Sequence, residues 1–245
     1  MSKAIFITWG DHEFNQMIAS HLLTKDHRVT LQFEDQTAAE AYQQTLAPEH
    51  AERFSYIVDT EFSENSVNES LQQAKAQMDG LDVLIHGNEM INDEEFFERD
   101  PQGFGLFVEE QFRKMYLFTR FASGDMMKRK SGAIIFPVIY DALVYAGYPS
   151  SPVLTQGKIS MMKSLSRELV AFKIMTNVLT LGYYDEEFDR ETKKAKRSTL
   201  EIFGLKVPLY TVEQMIPAID MFVTPVIGNI SGQNFHVSAG IETQL

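Results

Sequence analysis

The chain has 245 residues, 44% of them apolar, and its 22 Lys and Arg against 34 Asp and Glu leave a formal charge of −12. That length suits one α/β domain with ample material for a buried core, while the acidic balance opposes binding to nucleic-acid phosphates and anionic membranes. Cysteine is absent, which excludes disulfides, thiolate nucleophiles and Cys-ligated zinc.

Short β-branched or apolar runs alternate with longer stretches of helical period, the order expected of βαβ units around a parallel sheet. In chain order the expected strands are Ala4 to Thr8, Arg28 to Phe33, Phe54 to Val58, Val83 to Ile85, Ala133 to Val138, Asn177 to Leu181 and Asn234 to Val237. Between them fall candidate helices at about 12–24, 37–46, 65–79, 104–128, 153–173 and 211–224, long enough to serve as crossovers. The helix after Pro152 is the clearest, because Ile159, Met162, Leu165, Leu169 and Phe172 recur every three or four residues on one face. No repeat or flexible linker divides the sequence, so 1–245 reads as one domain. The segment 183–207, charged and placed after the sixth strand, is either a lid over a strand-end site or a solvated helical excursion with paired charges. No apolar run approaches the roughly 18 residues that span a bilayer. The start, MSKAIFITWG, lacks the features of a signal peptide, so a cytoplasmic, membrane-free protein is expected.

Six segments in order resemble the short-chain dehydrogenase/reductase family. KAIFITWG is similar to its first strand and turn, and LDVLIHGNE resembles its fourth strand with the Asn-Asn-Ala-Gly turn. MMKRKSGAIIF resembles the approach to its fifth strand, and TQGKISMMKSLSREL its active-site helix. TNVLTLGYY is similar to its sixth strand, and SGQNFHVSAG to its closing strand. The resemblance implies an α/β fold, a single Rossmann-like doubly wound parallel sheet of about seven strands with helices on both faces. It also implies nucleotide binding at the strand ends and a homodimer or homotetramer packed through the helices at 104–128 and 153–173. By position it assigns Thr8, Gly10, Asp59 and Asn88 to the coenzyme site, and Lys158, with Tyr148 as the nearest substitute phenol, to catalysis.

The residues depart from that pattern where the chemistry is done. A dinucleotide turn needs glycines, so that the backbone can approach the pyrophosphate beside a helix N-terminus. Here Trp9, Glu13 and Asn15 stand at the three glycine positions, and only Gly10 can relax the turn. Asp11 and Glu13 are expected to face the phosphates, and Trp9 either caps the first strand or fills the vacated nucleotide pocket. In the family a tyrosine donates a proton and a lysine one helical turn later lowers its pKa, both on one helical face. Lys158 stands at the lysine position, but Leu154 stands where the tyrosine belongs. The serine position falls within Ile139, Tyr140 and Asp141, and the asparagine position aligns with Gln111. Asp141 is the nearest acid in sequence to pair with Lys158.

Tyr140, Tyr145 and Tyr148 lie between the fifth strand and the active-site helix, where they can supply a relocated phenol or a binding surface. His12 and His86, with Asp11, Glu13 and Glu89, stand on neighbouring turns of this fold, but a His beside carboxylates is more often hydrogen-bonded than metal-bound, and no metal is expected. Three functions follow. The first is a catalytically impaired paralogue, with no coenzyme or only weak binding, acting in ligand binding or in assembly with itself or an active relative. The second is an NAD(P)-dependent carbonyl or acyl-thioester reductase with relocated groups. The third is redox-free chemistry in a converted pocket, as in the halohydrin dehalogenases, although the Ser, Tyr and Arg of those enzymes are not matched here.

Overall fold

The computed structural model describes residues 2–139, 151–182, 190–199, 210–225 and 230–237. Its strands are β1 (Ala4–Ile7), β2 (Arg28–Phe33), β3 (Phe54–Val58), β4 (Val83–Ile85), β5 (Gly132–Ile139), β6 (Ile174–Leu181) and β7 (Asn234–Val237). They form one parallel sheet in the order β3-β2-β1-β4-β5-β6-β7. The helices are α1 (Glu13–Thr24), α2 (Gln36–Thr45), the single turn α3 (Pro48–Ala51), α4 (Glu64–Met78), α5 (Asp93–Arg99) and α6 (Pro101–Arg129). After these come α7 (Pro152–Leu169), α8 (Arg190–Thr199), α9 (Val212–Met215) and α10 (Asp220–Val223). The strand order reverses between β1 and β4, and in doubly wound sheets the crevice beyond the strand ends at that reversal is where ligands bind.

Both faces of the sheet are covered, which is why its central strands are apolar at every position. In β1, Ile5 and Ile7 join the cluster under α1, α2, α9 and α10, whereas Ala4 and Phe6 join the cluster under α4, α6 and α7. β4 alternates in the same way, with Val83 and Ile85 on the first side and Leu84 on the second.

Besides the single turn α3, two elements differ from the sequence expectation. The helix expected at 211–224 is broken into α9, a 3-10 turn over Ile216–Ile219 and α10, because Pro217 cannot donate to a continuing helix. The short helix α5 was not expected. Asn92 caps it by accepting from the N–H groups of Glu94 and Glu95, and three acids in its first turn complement the helix dipole. The candidate lid at 183–207 lies largely outside the described residues, and the part within them includes α8. Among the described residues, no helix is long and apolar enough to cross a membrane.

Candidate functional site

The bend after β1 forms one wall of the crevice. Trp9 adopts a left-handed backbone, φ +61°, in which a side chain is strained by about 1–2 kcal/mol, and its indole is buried. The ring packs 5.7 Å from that of Phe62. Lys114 of α6 lies over both, its Nζ 5.0 Å from the Trp9 centroid and 3.6 Å from that of Phe62, a favourable placement for an ammonium. The same Nζ donates to Glu34 Oε1 at 3.0 Å. Gly10 donates its N–H to the Gln32 carbonyl at 2.6 Å, and a Cβ there would lie 2.9 Å from that oxygen and 2.8 Å from the Phe33 ring. Glycine is therefore required at this position by the approach of β2. The Asp11 carboxylate accepts from the N–H groups of Glu34 and Asp35 at 2.7 and 3.1 Å, tying the bend to the end of β2.

The turn after β4 is clasped onto this bend. Gly87 donates its N–H to Thr8 Oγ1 at 3.0 Å, and a Cβ on Gly87 would fall 2.3 Å from the Thr8 carbonyl. The Asn15 amide nitrogen donates to the carbonyls of Trp9 and Asn88, and its oxygen accepts from Asn88 N–H. Asn15 thus sits in a glycine position of the family turn and performs a structural task there. Asp59 is buried and accepts from the N–H groups of Glu61 and Phe62, both at 3.1 Å, and from the Ser70 hydroxyl. It fixes the loop that carries Phe62 against the Trp9 ring.

Lys158 is fully buried on α7. Its ammonium donates to the Glu89 carboxylate at 2.6 Å and to the Gly87 carbonyl at 3.2 Å. One turn earlier Leu154 is also buried. The expected partner of Lys158, Asp141, lies outside the described residues, as do Tyr140, Tyr145 and Tyr148. Glu89 is the partner sequence reasoning missed. The signal was its place at the end of the turn corresponding to Asn-Asn-Ala-Gly, where the family has no charge.

Two other expectations are corrected. Glu13 does not share the crevice. As the first residue of α1 it lines a separate cavity of about 550 Å³ with Met17, His21 and Tyr42, because the helix turns it away from Asp11 and His12. His86 points into the core, stacked on Phe136 with centroids 4.8 Å apart and bonded through Nε2 to the Thr119 hydroxyl at 2.8 Å. Burial, with the nearby Lys158 charge, pushes its pKa down to about 3. Among the described residues no group of three or more His, Asp or Glu is placed to hold a metal ion.

What remains open is a cavity of about 390 Å³ whose walls include Trp9, Asp11, His12, Glu34, Glu89 and Gln111. Four acids, Asp11, Glu34, Glu89 and Glu110, share its walls with the Lys114 cation and with apolar side chains. Burial lowers the His12 pKa against the opposing pull of Glu89, Asp11 and Glu34.

The short chain dehydrogenase family profile matches residues 3–197. Nodulation protein G of Rhizobium meliloti is 22% identical over 202 residues, 81% of either chain. The 3-oxoacyl-[acyl-carrier-protein] reductase FabG of Staphylococcus aureus is 20% identical over 247 residues, 98% of either chain. Among solved structures, ElxO with NADP bound superimposes with a TM-score of 0.77 at 17% identity, covering 98% of both chains. An apo SCOR enzyme from Clostridium thermocellum gives 0.75 at 15% identity, covering 100% of this chain and 95% of its own. With four-fifths of its length inside the family profile, the chain belongs to the short-chain dehydrogenase family.

Proposed function

We propose that the chain is a catalytically impaired member of this family that works through ligand binding or assembly and not through hydride transfer. The observation that carries this reading is the buried ion pair of Lys158 with Glu89 at 2.6 Å. The ammonium that the family uses beside a coenzyme ribose and a tyrosine is already neutralised, and Leu154 holds the tyrosine's place.

A dinucleotide does not fit the residues present. The Gly10 N–H is committed to Gln32, and those of Glu34 and Asp35 are committed to Asp11. The carboxylates of Asp11, Glu34 and Glu89 line the space, the last two paired with Lys114 and Lys158, and a phosphate about 5 Å from the Asp11 charge costs roughly 3 kcal/mol at an effective dielectric near 20. Isothermal titration with NADH and NADPH is expected to give no micromolar binding, and micromolar binding of either would overturn the reading.

Assembly in this reading is a homodimer or homotetramer through α6 and α7, or pairing with an active relative. Leu106 and Tyr116 of α6 and Val153 of α7 are exposed apolar side chains that suit such a contact. The setting is cytoplasmic, away from nucleic acid and membrane, in keeping with the charge of −12.

A second reading is an NAD(P)-dependent reductase of a carbonyl or acyl thioester. It is favoured by the relatives named 3-oxoacyl-[acyl-carrier-protein] reductase and by the neighbour with NADP bound. It requires Lys158 to leave Glu89 and Tyr148 to supply the phenol. Turnover of a 3-oxoacyl thioester that is lost on replacing either residue would establish it.

A further inference from the structure

We infer that the 390 Å³ cavity at the β1–β4 edge binds a small organic ammonium that also carries a hydrogen-bond acceptor, such as an amino alcohol. This rests on the reading that a dinucleotide no longer occupies the crevice.

Three of the lining residues each bury a polar atom that has no hydrogen-bond partner among the described residues: Trp9 Nε1, Glu89 Oε1 and Gln111 Oε1. Their side chains belong to residues only 4%, 3% and 6% exposed. Buried polar groups are nearly always paired, and three unpaired ones around one cavity mark a set that a ligand completes. The set has a polarity. Trp9 can only donate, whereas Glu89 Oε1 and Gln111 Oε1 can only accept. A matching ligand therefore accepts one bond and donates at least two, and an ammonium has three donors.

Charge selects the same class. Glu34 is paired with Lys114, the cation in the wall, Glu110 with Arg113 and Glu89 with Lys158, so among the described residues the Asp11 carboxylate is the one lining acid without a cation. It accepts from the backbone N–H groups of Glu34 and Asp35. The cavity is thus slightly negative, so an anion is repelled and a neutral polyol lacks charge assistance. Trp9 and Phe107 add aromatic surface, and Ile91 an apolar wall, suited to the carbon chain of an organic cation.

The test uses the protein's one tryptophan, which is Trp9 and so reports on this cavity alone. Its emission is followed in titrations with 4-aminobutan-1-ol, butane-1,4-diol and 4-hydroxybutyrate, which share a four-carbon chain and a hydroxyl and differ only in the other end. The amino alcohol is expected to give a saturable change and to bind at least about tenfold tighter than either of the others. Gln111→Leu, which removes one acceptor without touching the Lys158–Glu89 pair, is expected to weaken it about tenfold with an unchanged melting curve. Equal binding of the three probes, no saturable change, or full affinity in Gln111→Leu would overturn the proposal. A parallel NADPH titration separates the causes of failure. Micromolar NADPH binding removes the impaired-coenzyme reading and this site with it, whereas silence from both NADPH and the amino alcohol removes the ammonium site alone.

Discussion

Replacing Glu89 with alanine is expected to destabilise the protein by about 3–5 kcal/mol, the cost of leaving a buried charge without its partner. Lys158 is fully buried, and without Glu89 its ammonium keeps only the Gly87 carbonyl at 3.2 Å. For a chain of this length the loss corresponds to a melting temperature lower by on the order of 10 °C. Replacing both partners with apolar residues, Glu89→Leu with Lys158→Met, is expected to restore most of the stability. Thermal melts of the wild type and the two variants at pH 7 check this. A loss under about 1 kcal/mol in Glu89→Ala would mean that the pair is solvated.

His86 is expected to make the protein acid-sensitive well before the carboxylates titrate. In the folded state burial holds its pKa at about 3, while the unfolded chain titrates near the ordinary value of about 6.5. Between those values the unfolded state binds one proton more than the folded state, so unfolding free energy increases with pH and is lost as pH falls. The slope from this group is about 1.4 kcal/mol per pH unit, or roughly 2 kcal/mol between pH 6.5 and 5. His12 and His27 are also lowered by burial and add in the same direction. Denaturant melts of His86→Gln are expected to keep the gentler slope of those two and to lose the steep part. An unaltered slope would place the proton elsewhere.

Much of the architecture was legible because the sheet is covered on both faces. Continuous apolar runs such as Ala4–Ile7 and Val83–Ile85 read as buried parallel strands, and the stripe on α7 carries Ile159, Met162 and Leu169 into the core as its spacing requires. The short acidic helix α5 escaped because its stability comes from an Asn92 cap and a dipole, not from an apolar stripe. At the site, the bulk of Trp9 and the absence of a phenol at Leu154 were visible in single residues. Their surroundings were not. Phe62 stands in a loop without periodicity, and Lys114 looks like an ordinary cation on a helix surface, yet the two pack together against the indole. Glu89 and Lys158 are 69 residues apart, and only the fold could show that Glu89, and not an acid nearer in sequence, meets the buried ammonium. Glu13 shows the converse error. Its nearness in sequence to Asp11 suggested one site, but α1 turns the two toward different cavities.

A crystal structure of the protein grown with NADPH, read from the density at the β1–β4 edge, decides whether the bend holds a coenzyme. The expected density has Trp9 still packed on Phe62 beside the Lys114 ammonium, Lys158 still bonded to Glu89, and no dinucleotide along the bend. A dinucleotide lying across that bend, with the indole displaced and Lys158 turned from Glu89 to the nicotinamide ribose, would contradict it.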